Sequence, residues 1–232
     1  MGDALIDLRA IMRPMARVFL LSPANCAGLR ARMVLGERAG FDLARRLRAK
    51  PGAPLGEVFA FVSGLYFRGK VTYALAFASP PAGVGSGALV ITPGAGLWPA
   101  ERPVSLADLQ AFAGVEISEA NPAYRRPLVA GARRLARRLP DDSDVVLLGS
   151  IASDKYVGIL AGIFGPRLLF PVDFVGRGDM SRGGLLLRAV REGRELAYAP
   201  VLGAVRRGAR PPKLPPLPPR AAAAAGPGPA RP

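Results

Sequence analysis

The segment "DVVLLGSIASDKY" (residues 144–156) decides the fold class, because it joins a buried strand to a helix through a polar loop. Residues 145–148 are continuously apolar, which is typical of a parallel strand covered on both faces. The loop "SIASD" contains small polar residues, and it leads into "KYVGILAGIFG" (155–165), which is apolar enough for a helix packed on a sheet. The stretch therefore predicts a strand–loop–helix unit of an α/β domain.

Other apolar segments of the chain repeat this arrangement. Further strands are predicted at "RVFLL" (17–21), "GALVI" (87–91), "RLLFPVDFV" (167–175) and "ELAYAPV" (195–201). Helical patterns separate these segments, and strands that alternate with helices form mostly parallel sheets. We therefore predict a three-layer α/β fold, with a sheet of four or five strands and helices on both faces.

Two helix starts carry specific signals. Ser105 with Asp108 three residues later forms a capping-box pattern, and Asn121 before Pro122 is typical of an N-cap followed by a proline in the first helical position. The second of these helices contains "PLVAGARRLARRLP" (127–140), with leucines at helical spacing and arginines on the other face. Those arginines could contact a phosphate backbone, or they could be a solvated basic face.

The composition changes after residue 205. Residues 1–205 are predicted to form a single domain, and residues 206–232 are rich in proline, alanine and arginine and lack any acidic residue. Such a segment buries too little apolar surface to offset its ordering entropy, so we expect a disordered basic tail. Its "PPLPPR" (215–220) could bind a peptide-recognition domain or serve as a linker.

The overall composition excludes several kinds of chemistry. The chain has a net charge of +15, no histidine and one cysteine, Cys26. Triads that need histidine are therefore excluded, and no transition-metal cofactor is expected, although an all-oxygen Mg²⁺ site remains open. The apolar runs are shorter than a membrane-spanning helix requires, so we expect a cytoplasmic protein with no membrane partner. The positive charge favours an anionic partner.

The candidate binding residues follow the predicted strands. In open α/β sheets, ligands bind beyond the carboxyl ends of the strands, where small polar residues, glycines and cations can hold a phosphate or carboxylate. Ordinary strand-to-helix loops have a similar composition, which is the alternative explanation. The candidates at these loops are Ser22, Asn25, Thr92, Gly94, Ser150, Lys155, Tyr156, Arg177, Asp179 and Arg182.

The loop in "FPVDFVGRGDMSRGG" (170–184) supplies the principal expected cations, Arg177 and Arg182. It matches neither a dinucleotide-binding fingerprint nor a Walker A motif. Asp173 falls inside the predicted strand, where a buried carboxylate requires a partner. It is interpreted either as half of a structural ion pair or as a catalytic carboxylate, and Asp154 is the second candidate catalytic carboxylate.

The segment "YFRGKVTYALAFA" (66–78) adds a further candidate, Lys70. Together with Arg68 and the neighbouring aromatic rings, Lys70 could hold a base or a phosphate. The alternative is a buried aromatic face flanked by two solvated cations. Cys26 is interpreted as a structural thiol, although its position before a predicted helix could lower its pKa.

Four stretches carry a resemblance to a known group: "VFLLSPANC" (18–26), residues 66–78, "VITPGAGLWPAE" (90–101) and "VVLLGSIASDKYV" (145–157). Their order resembles an uncharacterised bacterial α/β family with a uracil-DNA-glycosylase-like core, distantly like the core domain of archaeosine synthase. The resemblance implies an α/β domain that acts on nucleotides or nucleic acids.

Three functions remain open at this point. The first is a nucleotide- or nucleic-acid-directed protein that binds an anionic ligand at its strand-end loops, with base or nucleotide modification as an enzymatic form. The second is a non-catalytic interaction protein that docks on nucleic acid or an acidic partner through its basic helix and tail. The third is an enzyme for a small phosphorylated or carboxylated metabolite. Substrate and oligomeric state are not determined by the sequence.

Overall fold

The computed structural model describes residues 15–214. In chain order, the strands are β1 (Arg17–Leu21), β2 (Ala53–Pro54), β3 (Ala88–Thr92), β4 (Gly96–Pro99), β5 (Pro103–Val104), β6 (Asp144–Leu148), β7 (Leu168–Pro171) and β8 (Tyr198–Pro200). The helices are α1 (Leu29–Leu35), α2 (Asp42–Arg48), α3 (Leu55–Ser63), α4 (Leu65–Phe77), α5 (Leu106–Ala113), α6 (Pro122–Ala136), α7 (Val157–Phe164) and α8 (Asp179–Glu192). No helix within this part of the chain is both long and apolar enough to cross a bilayer.

The main sheet has six strands in the order β4-β3-β1-β6-β7-β8. Strands β3, β1, β6 and β7 are parallel, whereas β4 and β8 run antiparallel at the two edges. The carboxyl ends of β1 and β6 are adjacent, because Leu21 is in register with Leu148. The predicted α/β class is therefore confirmed, with one edge strand, β4, that the sequence did not reveal.

Helices cover both faces of this sheet. Along β1, Phe19 and Leu21 belong to one core cluster, while Val18 and Leu20 belong to the other. The first cluster includes side chains of α1 to α5 and α8, and the second includes those of α6 and α7. The continuous apolar runs thus occur because every residue of a central strand faces a helical layer.

Helices α4 and α8 cross at unusually close range, and this crossing positions the site. A Cβ atom on Gly69 would lie 2.8 Å from the carbonyl oxygen of Gly183, and one on Gly183 would lie 2.8 Å from the Cα of Tyr66. Only glycine at both positions allows this approach. The first turns of α4 and α8 are therefore held together beside the carboxyl ends of β1 and β6.

Both specific helix signals are confirmed. Ser105 and Asp108 form the reciprocal capping box of α5, and the Asn121 side chain accepts a hydrogen bond from the backbone N–H of Ala123 at the start of α6. The helical stretch after residue 54 is divided into α3 and α4 at Gly64, which has φ +73°. That conformation ends one helix and starts the next.

Residues 206–214 form neither helix nor strand, yet they lie against the domain. Gly176, with φ +72°, packs so closely on this segment that a Cβ atom would lie 2.0 Å from the carbonyl oxygen of Ala209. Arg177 also donates a hydrogen bond to the carbonyl of Pro212 at 3.3 Å. Residues 206–214 therefore contact the domain, and the disorder expected of residues 206–232 stays a prediction. The remainder, including residues 215–220, lies outside the described residues.

Candidate functional site

A cavity of about 310 Å³ opens at the carboxyl edge of the sheet. It lies where the loops after β1 and β6 meet the first turns of α4 and α8, as expected for an open α/β sheet. Its lining consists mainly of hydroxyl-bearing and charged side chains. The lining residues are Ser22, Pro23, Asn25, Ser63, Tyr66, Lys70, Ile117, Ser150, Ser153, Lys155, Tyr156 and Asp179.

Lys70 lies on the floor of this cavity and is only 1% exposed. Its Nζ donates hydrogen bonds to the carbonyl oxygen of Ser22 at 2.7 Å and to the Ser22 Oγ at 2.9 Å. The same nitrogen lies 4.6 Å from the ring centroid of Tyr66 and 4.3 Å from that of Phe67. Among the described residues, no carboxylate forms a salt bridge with Lys70, so its charge is held by a hydroxyl, a carbonyl and two aromatic faces.

This placement corrects one interpretation of the sequence. Lys70 is not a solvated cation beside a buried aromatic face, because it is itself buried with the aromatic residues, while Arg68 is exposed. The two cations are two residues apart on α4, so they point to different sides of the helix. Only Lys70 faces the sheet.

Burial also changes the acid–base properties of the lining. The pKa of Lys70 is lowered to about 7, chiefly by loss of hydration; the negative charge of Asp179 opposes this shift and the positive charge of Arg182 adds to it. Burial raises the pKa of Tyr66 and of Tyr156. Near neutral pH, Lys70 can therefore exist as a neutral amine next to two protonated phenols.

Ser22 and Tyr156 meet above Gly149, the last residue before the loop that follows β6. A Cβ atom on Gly149 would lie 2.8 Å from the Ser22 Cβ and 2.8 Å from the Tyr156 hydroxyl. The Tyr156 hydroxyl donates to the carbonyl oxygen of Ser150 at 3.2 Å, which fixes the ring. Glycine at this position is thus required for the serine, the tyrosine and Lys70 to converge.

The Tyr66 hydroxyl is buried and has no hydrogen-bond partner with ordinary geometry among the described residues. The Arg182 guanidinium is near enough to oppose the rise in its pKa electrostatically, but it does not reach the hydroxyl with hydrogen-bond geometry. A buried hydroxyl without a partner is unfavourable. A polar group bound in the cavity would supply that partner.

Two helix N-termini add positive partial charge to the cavity. Helix α7 begins directly after Tyr156, and α8 begins at the lining residue Asp179. Neither N-cap residue, Tyr156 or Gly178, provides a side-chain capping hydrogen bond. The first-turn N–H groups of both helices therefore contribute to an electrostatic environment that favours an anion.

A larger groove of about 870 Å³ adjoins the cavity. Asn25, Ile117 and Lys155 line both spaces, so the cavity and the groove are contiguous. The groove also carries acidic side chains, those of Glu116, Glu119 and Asp154. Asp154 is exposed and thus lies at the rim of the groove, which places this candidate carboxylate near the site but outside the inner cavity.

Arg177, in the loop before α8, and Arg182, in the first turn of α8, do not line the cavity as the sequence led us to expect. Arg177 donates to Ser181 and to the Pro212 carbonyl, and it lines a separate space beside residues 210–214. Arg182 donates two hydrogen bonds to the carbonyl oxygen of Phe174, at 3.1 and 3.0 Å, and its guanidinium lies 3.4 Å from Asp179. Arg182 therefore holds the loop together, and neither arginine lines the inner cavity.

Three other candidates lie away from the cavity. Strand β7 ends at Pro171, so Asp173 lies in the short 3-10 turn Val172–Phe174 and is exposed. The expectation of a buried carboxylate inside a strand was therefore wrong. The Thr92 hydroxyl donates to the Gly96 carbonyl at 2.8 Å and closes the β3–β4 hairpin. Gly94 has φ +88° in the same hairpin, so the turn itself explains why a glycine stands at this position.

Ser63 and Ile117 line the cavity but lie outside every segment that the sequence singled out. Ser63 is the last residue of α3, and Ile117 lies in the loop between α5 and α6. Neither follows a parallel strand, so the strand-end argument could not select them. Cys26 is buried, and burial raises the pKa of its thiol to about 12, which agrees with a structural role.

The arginines of α6 and its C-terminal end form a separate basic surface. All six are exposed, and none is in a salt bridge among the described residues; they are Arg125, Arg126, Arg133, Arg134, Arg137 and Arg138. Within residues 15–214, no cluster of three or more histidine, cysteine, aspartate or glutamate side chains could hold a metal ion. Comparison of the chain with models of protein families, with curated proteins and with solved structures finds no match.

Proposed function

We propose that the protein binds a small anionic ligand of the nucleotide class in the cavity and the adjoining groove. One observation carries the proposal: a buried lysine, a second lysine and two helix N-termini surround one cavity, and Asp179, the one carboxylate that lines it among the described residues, is paired with Arg182. The charge of Lys155 and the partial charges of the two helix N-termini favour a bound phosphate or carboxylate there.

The groove supports a nucleotide over inorganic phosphate. A phosphate at Lys155 leaves the rest of the ligand beside Glu116 and Glu119, whose carboxylate oxygens can accept hydrogen bonds from ribose hydroxyls or an exocyclic amino group. The cavity and groove volumes lie in the range of small-molecule sites. This ligand class agrees with the resemblance to uracil-DNA-glycosylase-like domains, which stays a prediction.

Calorimetric titration with nucleoside monophosphates, the matching nucleosides and inorganic phosphate tests the proposal. Lys155→Ala removes an exposed side chain that lines both spaces, so the fold should be kept. A charge-assisted hydrogen bond contributes about 1.5–3 kcal/mol, so the variant should bind the nucleotide at least about tenfold more weakly.

Arg177→Ala is the matched control, because it removes a cation that lies outside the cavity. Its affinity for the nucleotide should equal that of the wild type. Absence of nucleotide binding by the wild type, or equal affinity in Lys155→Ala, would refute the proposal.

A further inference from the structure

Ser22 and Lys70 are in direct hydrogen-bond contact, an arrangement that simple ligand binding does not require. The Lys70 Nζ is 2.9 Å from the Ser22 Oγ, and both of its hydrogen bonds to protein atoms go to Ser22. Both residues line the cavity and both are buried, Ser22 at 6% and Lys70 at 1% exposure. Because both hydrogen bonds of its Nζ go to Ser22, Lys70 acts on a ligand through Ser22 rather than as a flexible surface cation.

We propose that Ser22 is a nucleophile whose hydroxyl proton is accepted by Lys70, and that the cavity hydrolyses esters with a negatively charged acyl group. Serine–lysine pairs replace histidine-dependent triads where a neutral amine serves as the base. The absence of histidine from this chain leaves lysine as the available strong base at Ser22. The inference rests on the anion binding of the proposed function, because the same cavity holds the negatively charged part of the acyl group.

Loss of a proton from Lys70 reverses one of its two hydrogen bonds. Nζ donates to the Ser22 Oγ at 2.9 Å in the protonated form, whereas the lone pair of the neutral amine can accept the Ser22 hydroxyl proton along the same contact and one N–H still donates to the Ser22 carbonyl. Burial lowers the pKa of Lys70 to about 7, so the neutral form is populated near neutral pH. The titratable and charged groups that face it are Tyr66 on its own helix and Asp179 and Arg182 on α8.

The reaction is balanced with water as the co-reactant. The Ser22 Oγ attacks the ester carbon while its proton moves to Lys70, and the resulting ammonium protonates the departing alcohol when the ester C–O bond breaks. Water then attacks the acyl-serine, gives one proton to Lys70, and Lys70 returns it to the Ser22 Oγ as the carboxylic acid leaves. The uncapped first turns of α7 and α8 stabilise the negative charge that develops on the carbonyl oxygen, while Lys155 holds the anionic end of the acyl group.

The first experiment locates the nucleophile in the unmodified protein. Phenylmethylsulfonyl fluoride should form a sulfonyl–oxygen bond at the Ser22 Oγ with loss of fluoride, and peptide mass mapping should find the adduct on Ser22. Ser181→Ala, which removes a serine outside the cavity, should label as the wild type does. No adduct on Ser22 of the folded wild type would overturn the proposal.

The second experiment measures turnover of two esters of similar size, mono(4-nitrophenyl) succinate and 4-nitrophenyl butyrate. Ser22→Ala and Lys70→Met should each lower the rate at least about 100-fold, since general base catalysis contributes that much. The wild-type rate should rise with pH through about 7 as Lys70 loses its proton. Hydrolysis that persists in Lys70→Met would overturn the role of the lysine.

The charged ester separates failure of this inference from failure of the proposed function. The succinate should be preferred to the butyrate, and Lys155→Ala should remove that preference while hydrolysis of the butyrate continues. Equal rates for the two esters, with an adduct on Ser22, would refute anion binding and leave the serine–lysine pair intact. Nucleotide binding without an adduct or turnover would refute the pair and leave the proposed function intact.

Discussion

Replacement of Lys70 by methionine tests how strongly burial perturbs this residue. The pKa of Lys70 falls from 10.5, its ordinary value, to about 7 in the folded protein. Between these two pH values the unfolded chain binds a proton that the folded protein does not bind. Stability therefore rises with pH across this window, and the gain is lost as the pH falls through about 7.

The expected size follows from the same pKa values. Integration of the proton-binding difference from pH 6.5 to pH 8.5 gives about 2 kcal/mol of added stability for the wild type. Methionine has a similar length and no charge, so Lys70→Met should lack this rise. The free energy of unfolding should therefore change by about 2 kcal/mol more in the wild type than in the variant over this range.

Urea unfolding at pH 6.5, 7.5 and 8.5, followed by circular dichroism, measures this difference. Subtraction of the variant from the wild type cancels other titrating groups, such as Cys26, whose raised pKa has the opposite effect at higher pH. Lys155→Met, which removes an exposed lysine, should keep the pH dependence of the wild type. Parallel curves for the wild type and Lys70→Met would show that Lys70 keeps its proton in the folded state and would refute the reasoning.

Two further predictions concern packing at the site and at the docked segment. Gly149→Ala places a methyl group 2.8 Å from the Ser22 Cβ and the Tyr156 hydroxyl, so it should lower stability by about 1–3 kcal/mol and abolish nucleotide binding. Gly162→Ala is the control, because no neighbouring atom lies within 4 Å of the added methyl group, and it should stabilise α7 by about 0.5–1 kcal/mol. Urea unfolding measures both variants, and an equal change in stability for the two would contradict the packing argument. A chain that ends at Val205 should melt a few degrees below one that ends at Leu214, because it lacks the contacts of residues 206–214 with Gly176 and Arg177. Equal melting temperatures by scanning calorimetry would show that these contacts contribute nothing.

The α/β class could be predicted from the sequence because its determinants are local. Continuous apolar runs, such as residues 145–148, require burial on both faces, and the capping pattern at Ser105 and Asp108 acts within one helical turn. The same logic predicted that the loops after β1 and β6 would meet, since parallel strands end at one edge of a sheet. Ser22, Ser150 and Tyr156 were found in this way, and all three line the cavity.

Only the tertiary structure decided which cations face the cavity. Arg177 and Arg182 were chosen for their glycine-rich loop, yet the peptide carbonyls of Pro212 and Phe174 occupy them, and nothing in the local sequence specifies those contacts. The sequence named Lys70 as a binding candidate but left a solvated cation as the alternative, because a pattern of charges and aromatic residues does not say which side of a helix meets the sheet. That side is set by the close crossing of α4 and α8 at Gly69 and Gly183, whose residues are more than 100 positions apart. The burial of Lys70, its low pKa and its contact with Ser22 all follow from that long-range packing, which is why no local pattern could reveal them.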